Sequence, residues 1–420
     1  MEAATSVIKE FSEIENIKSV KDDLASDVNY LYAFGCPVID IPFGGGIPSG
    51  KILEEYGWES AGKSTLALEI AKAFELFWRA NGERLKKKHV IVWIEAEGAL
   101  DKVRAKYMGC NAEDWMIYES RDMQDDRDFI MSILQKCQEK NIVALIVWDT
   151  IAATPTKEEK EEDGGRMANK ASLCRSMLRK FMPMLGQTDS TLILVNQLSQ
   201  NFVQNAPDET PMPAIKFYAS IRCRVSLREK TPYISPSGDE IIKSIVSELK
   251  FDKNKLIQRG QKAMVVIDNE KGIDFLETSM RYLKKAKLAN VKGAGWTELN
   301  LPERLHNKTN KDPIQMVTVK WQTAEKFREL CEVQYPHLKD WVDYLIYLNY
   351  TTVSPLVKVK IIPRVWEYEM KFFGEKRCQL TEEERRCADM LQAEDSKEEA
   401  KMGDHDEVPE GKVQRKGKKS

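Results

Sequence analysis

Gly57-Trp58-Glu59-Ser60-Ala61-Gly62-Lys63-Ser64, followed by Thr65, has the composition and spacing of a loop that holds phosphate, G-x-x-x-x-G-K-[ST]. Glycines let backbone N–H groups turn inward onto phosphate oxygens. The segment that follows, TLALEIAKAFELFWRA, repeats its apolar positions with helical spacing, so a helix N-terminus would direct its positive end at the same oxygens. Lys63 then supplies a charge between the β- and γ-phosphates, and Ser64 a hydroxyl for Mg²⁺. A near-copy just upstream, Gly45-Gly46-Ile47-Pro48-Ser49-Gly50-Lys51, satisfies G-x-x-x-x-G-K but has Ile52 where the hydroxyl is needed. It leads into a strand rather than a helix, and it reads as a structural turn.

Chemistry on a terminal phosphate also needs a carboxylate to orient water and a partner for the metal. The apolar run from Ile142 to Trp148 ends in Asp149, which places that carboxylate at the edge of a parallel sheet where ligands bind and makes it the expected Mg²⁺ partner. The run VIVWI ends in Glu95-Ala96-Glu97, whose period of two puts both carboxylates on one side of the chain; Glu97 is the candidate for orienting water. TLILV delivers Asn196-Gln197 to the same edge, where an uncharged amide can sense a γ-phosphate. Each has a plainer reading as a turn former or a solvated strand-end acid.

The elements that must position these residues follow from hydrophobic patterning. From Ile52 to about Ile267 there are several short apolar runs, the first four separated by stretches long enough for helices, which predicts an α/β core around a mostly parallel twisted sheet. Residues 1–33 predict a helical oligomerisation arm, because Val7, Ile8, Phe11, Ile14 and Ile17 recur at spacings of three and four. Residues 34–272 form the predicted core. Beyond Gly272 the strands are expected to give out, and FLETSMRYLKKAKLANV and HLKDWVDYLIYLNY predict a small helical domain over 273–380. Residues 381–420 are nearly all charged and predict a disordered tail.

The chain has 420 residues, 42% hydrophobic and 31% charged, with a net charge of −2. That excludes a wholly disordered chain and a histone-like, wholly basic nucleic-acid binder. No apolar run approaches the roughly 20 residues a membrane-spanning helix needs. The eight cysteines include no Cys-x-x-Cys pair, which predicts a reduced, cytoplasmic setting, and the four histidines are scattered, which argues against a zinc cluster.

In order along the chain, GGGIPSGKILEEYGWESAGKSTLALEIA, IEAEGALD, IVWDTIAATP, LVNQ, AIKFYASIR, FDKNKL and KGIDF resemble the bacterial RecA recombinase family over about residues 34–300. The resemblance implies a RecA-type phosphate-loop ATPase core. It also implies a DNA-dependent ATPase that polymerises on single-stranded DNA as a helical filament, pairs it with homologous duplex DNA and exchanges strands. By motif, Lys63 and Ser64 match the family's phosphate and Mg²⁺ residues, Asp149 its second acidic motif, Glu97 its catalytic carboxylate and Gln197 its γ-phosphate sensor. Asp101 matches an adenine contact. Lys253 and Lys255 match a pair that reaches a neighbouring subunit's ATP. Two departures stand out: Arg104 where the family stacks a tyrosine on adenine, and Asn269 in place of a second aromatic.

The resemblance makes residues 154–172 and 198–213, which lack regular patterning, the loops that hold DNA. In the first, an acidic run precedes the Gly164-Gly165 hinge and then Arg166, Lys170, Arg175 and Arg179, the expected phosphate grip. The second has no Lys or Arg. There Phe202, Val203 and Met212 are expected to be exposed apolar wedges between bases, and Gln200, Asn201 and Asn205 amide donors. In IRCRVSLR, Arg222, Arg224 and Arg228 are expected to face outward. Lys284, Lys285, Lys287 and Lys292 suggest a gateway for duplex DNA. Two other readings stay open from sequence: a RecA-fold hexameric helicase or motor, and an ATP-switched DNA-binding filament.

Overall fold

The computed structural model describes residues 28–98, 100–161, 167–198, 210, 212–303, 315–351 and 355–373. Most of residues 1–33, the whole charged tail, residues 162–166 and most of residues 198–213 lie outside the described residues.

A short ribbon of β1 (Leu31–Tyr32) and β2 (Ile47–Pro48) precedes the main sheet. The near-copy loop forms the turn expected of it: Gly44, Gly45, Gly46 and Gly50 all take positive φ, and the chain passes directly into β3 (Ile52–Gly57). The remaining strands of the main sheet are β4 (Lys88–Glu95), β5 (Met116–Glu119), β6 (Ile142–Asp149), β7 (Thr191–Gln197), β8 (Ile221–Ile234), β9 (Glu240–Asn254), β10 (Lys262–Asp268) and β11 (Gly272–Ile273). Their order is β11-β10-β9-β8-β3-β7-β6-β4-β5. From β8 to β5 every pairing is parallel, and from β8 to β11 every pairing is antiparallel.

The central strands are apolar on both faces because helices cover both. On β6, Ala144 and Ile146 pack with Ile130 and Leu134 of the helix Met123–Lys140 and with Leu178 and Phe181 of Met167–Thr188. Leu145 and Val147 instead join Leu66, Ile70 and Phe74 of the helix Lys63–Asn81. Parallel register then brings the carboxyl ends of the strands together: Gly57 pairs with Gln197, and Glu95 pairs with Asp149.

Two expectations need correction. Strands do not give out beyond Gly272, since β11 is followed by an antiparallel sheet of β12 (Asn290–Val291), β13 (Thr297–Pro302) and β14 (Met316–Trp321) among helices. In β13 the alternation is real, with Thr297, Leu299 and Leu301 buried, but it is too brief to stand out between charged neighbours. Residues 154–172 are also more regular than expected: Lys157–Glu161 is helical, and a long helix begins at Met167.

Candidate nucleotide-binding site

The phosphate loop leaves β3 at Gly57 and enters the helix Lys63–Asn81 through Gly62. Both positions demand glycine. A Cβ on Gly57 would lie 2.1 Å from the Val225 carbonyl oxygen of β8, and one on Gly62, at φ +96°, would lie 2.4 Å from Ile267 Cδ1. The antiparallel half of the sheet also holds the loop by a polar contact, because Ser247 Oγ on β9 donates to the Ala61 carbonyl at 2.7 Å. Lys63 is buried, and its Nζ donates to the Trp58 carbonyl at 2.9 Å. Burial lowers its pKa, opposed by the carboxylates of Asp149, Glu97, Glu59 and Glu55.

Beside the loop the strand ends build an acidic wall. Glu97 Oε1 accepts from Thr150 Oγ1 at 2.6 Å and from Gln197 Nε2 at 2.8 Å, so the predicted water-orienting carboxylate and the predicted sensor amide are in direct contact. Thr150 is a site residue that sequence reasoning missed; its one signal was its place directly after Asp149. Glu95 has a local duty, accepting from the backbone N–H of Glu97 at 3.1 Å and of Leu100 at 3.0 Å and so shaping the turn that presents Glu97. Burial pushes the Asp149 carboxyl up to about 6, with Glu95 and Glu97 adding to the shift and the Ser64 hydroxyl and Lys63 opposing it.

A cavity of about 530 Å³ opens over Lys63, Ser64, Glu97, Thr150 and Gln197. A recess of about 340 Å³, lined by Asp101, Val103, Arg104, Tyr107, Asn269 and Glu270, shares Arg104 and Asn269 with it. Asp101 caps the helix Lys102–Tyr107, accepting from Val103 N at 2.9 Å and Arg104 N at 3.0 Å. Arg104 donates to Thr65 Oγ1 at 2.8 Å, which ties that helix to the phosphate loop. Tyr107, 74% exposed, puts an aromatic ring on the recess one turn after Arg104. It was missed from sequence because the aromatics were sought only at positions 104 and 269.

The family described as RecA N-terminal domain matches residues 1–274. The chain belongs to the RecA family. Protein RecA of Leptospira biflexa is 31% identical over 302 residues, covering 70% of this chain and 72% of its own. Protein RecA of Gloeobacter violaceus is 30% identical over 268 residues, 63% of this chain and 68% of its own. That of Cereibacter sphaeroides is 34% identical over 224 residues, 52% and 60%. Every phosphate-loop and strand-end residue named above lies inside the RecA match.

The remaining positions suggested by the RecA resemblance fare differently. Gly165, Arg166, Gln200, Asn201, Phe202, Val203 and Asn205 lie outside the described residues. Arg175 is exposed on its helix. Lys170 is engaged within the chain, donating to the Ala152 carbonyl at 3.2 Å with Glu159 at 3.7 Å, and burial lowers its pKa. The expected exposure of Met212 is overturned: the residue is 0% exposed, in the core with Ile215 and Phe181, because apolar surface next to a core face is buried.

Arg222 is no outward, solvated arginine either. Its side chain is 11% exposed, bonds the fully buried Glu54 and lies 4.5 Å over the Tyr56 ring. Lys253 is half-buried, donating to the carbonyls of Lys216 at 2.8 Å and Phe217 at 3.0 Å, while Lys255 is exposed.

Proposed function

We propose that this chain is an ATP-dependent homologous recombination protein of the cytoplasm. It forms helical filaments on single-stranded DNA, pairs that strand with homologous duplex DNA and exchanges strands, with DNA-stimulated ATP hydrolysis. The observation that carries this reading is Gln197 and Thr150 both bonding Glu97 at the mouth of a complete phosphate loop. A carboxylate held by two donors is fixed in position yet keeps a second oxygen for water. A γ-phosphate oxygen competes with Glu97 for the Gln197 amide, which links occupancy to the strand end and to the DNA loop after it.

The residues present suit Mg²⁺, which keeps several waters and is held by one or two carboxylates plus substrate phosphates. Ser64 and Asp149, whose hydroxyl and carboxyl are near enough for Ser64 to lower the Asp149 pKa, would hold it, and it would neutralise phosphate charge. Gly57, Trp58, Glu59, Ser60, Ala61, Gly62 and Thr65 complete the phosphate cradle, and Asp101 and Arg104 bound the base recess. Lys253 and Lys255 act on the neighbouring subunit's ATP. The basic stretch after Gly165 and residues Gln200, Asn201, Phe202 and Val203 take single-stranded DNA. Residues 1–33 serve as the oligomerisation arm, 34–272 as the ATPase core, 273–380 as the C-terminal domain and 381–420 as a charged tail.

Replacement Glu97→Gln should preserve nucleotide binding and slow DNA-stimulated hydrolysis by about 10²- to 10⁴-fold, the range of a general base. Lost ATP affinity would make Glu97 structural. Electron microscopy with single-stranded DNA and a non-hydrolysable ATP analogue should show helical filaments; closed rings would point to a helicase or motor. Filaments with little DNA-stimulated turnover would point to an ATP-gated switch.

A further inference from the structure

The hairpin of β8 and β9 extends past the parallel sheet. β3 pairs with β8 only as far as Arg224, and β10 pairs with β9 only as far as Ser244, but β8 and β9 continue pairing to Ile234 and Glu240. This arm lies against the phosphate loop. Ile245 Cδ1 is 3.8 Å from where a Gly62 Cβ would be, and Ser247 bonds the Ala61 carbonyl. Lys230 is the ladder partner of Ile245, and Lys230, Ile242 and Ile245 line the nucleotide cavity.

Neighbouring cations are neutralised within the chain: Arg228 and Lys262 pair with Glu248, and Arg281 pairs with Glu229. Lys230 is exposed, and among the described residues its ammonium has no ion-pair partner. The other cations of the cavity are engaged, Lys63 with the Trp58 carbonyl and Arg104 with Thr65. An anion entering beside Gly62 meets Lys230 with no internal contact to break.

We propose that Lys230 binds a phosphate of the nucleotide held by its own subunit, adding to Lys63 a second cation that each protomer brings to the ligand before any neighbour supplies one. This rests on the reading of the cavity as a nucleoside triphosphate site.

The test is nucleotide affinity of the full chain, dilute and without DNA, measured by displacement of a fluorescent ATP analogue with ATP, ADP and adenosine. Lys230→Ala should weaken ATP and ADP roughly ten-fold, as loss of one charge-assisted hydrogen bond implies, and leave adenosine unchanged. Lys230→Arg should retain most of the phosphate-dependent affinity. Thermal unfolding of both variants should match the parent. Unchanged ATP affinity in Lys230→Ala, or an equal loss for adenosine, overturns the role of Lys230 while the cavity assignment stands. Failure of the parent chain to displace the analogue with ATP, or full ATP affinity in Lys63→Ala, overturns the cavity assignment and the Lys230 proposal with it.

Discussion

Asp149 is a carboxylate placed where ionisation is disfavoured, 6% exposed, beside Glu95 and Glu97, and pushed up to about 6. A folded-state pKa above the unfolded value of 3.8 means that between about pH 4 and 6 the folded chain binds more protons than the unfolded one. Stability from this group therefore rises as pH falls through that window, and at pH 7 the ionised group opposes folding. Asp149→Asn should thus stabilise the ligand-free protein at pH 7 by roughly 1–3 kcal/mol, an advantage that fades between pH 6 and 4. It should also abolish Mg²⁺-dependent ATP hydrolysis. Denaturant melts at pH 7 and 4.5 read the first effect; a pH-independent difference would mean that burial of the ionised form is not its cause. At this scale the sequence was most legible where a motif fixes backbone and side chain together, as in Gly57 to Ser64. Glu97 and Gln197 were legible as strand ends, but their mutual contact was not, because strand register is a tertiary outcome. The exposure of Met212 was misread for the converse reason: its loop neighbourhood hides the core that claims it.

Among elements, the seam between the parallel and antiparallel halves of the sheet carries a buried polar chain. The Gln197 backbone N–H donates to Asn196 Oδ1 at 3.0 Å, and Asn196 Nδ2 donates to Glu54 Oε1 at 2.9 Å. Arg222 bonds the other Glu54 oxygen and lies over Tyr56, whose hydroxyl donates to Asp252, which Lys250 pairs at 2.8 Å. The strand bearing Gln197 is thereby joined through β3 and β8 to the strand bearing Lys253. Glu54 is 0% exposed, so Arg222→Ala leaves a buried carboxylate without its cation and should destabilise by about 3–5 kcal/mol. Adding Glu54→Gln should recover part of the loss in a denaturant melt, since the uncompensated charge is then gone. No recovery would assign the loss to packing over Tyr56 instead. Central strands were readable because burial on both faces makes continuous apolar runs. This seam was not, since its polar residues read as solvated until β3 and β9 flank β8.

At the scale of the whole molecule, the alternation of β3, β4, β6 and β7 with helices through residue 197 was legible because each parallel crossover needs a helix of its own, whereas β5 and β9 were not read. The sheet of β12 to β14 was not, being built from strands too short for their period to register. The proposed assembly turns on the lysine pair, and the structure divides it. Lys253 spends its ammonium on the carbonyls of Lys216 and Phe217, so removing it also unties the short helix Ile215–Tyr218 from β9. Lys255 is exposed, and replacing an exposed lysine changes stability little. Lys255→Ala is therefore the cleaner probe: the protomer should unfold at the parent temperature and bind nucleotide normally, while DNA-stimulated hydrolysis falls by ten-fold or more, as for a charge supplied to another subunit's transition state. Mixing it with Lys63→Ala separates the two roles, because each variant carries what the other lacks. If ATP lies between subunits, a Lys255→Ala phosphate loop facing an intact Lys255 from its neighbour is a complete site, and turnover should return in mixtures of two inactive proteins. A mixture no more active than either component, with normal filaments from Lys255→Ala alone, would place Lys255 outside the ATP site and leave the nucleotide served by its own subunit.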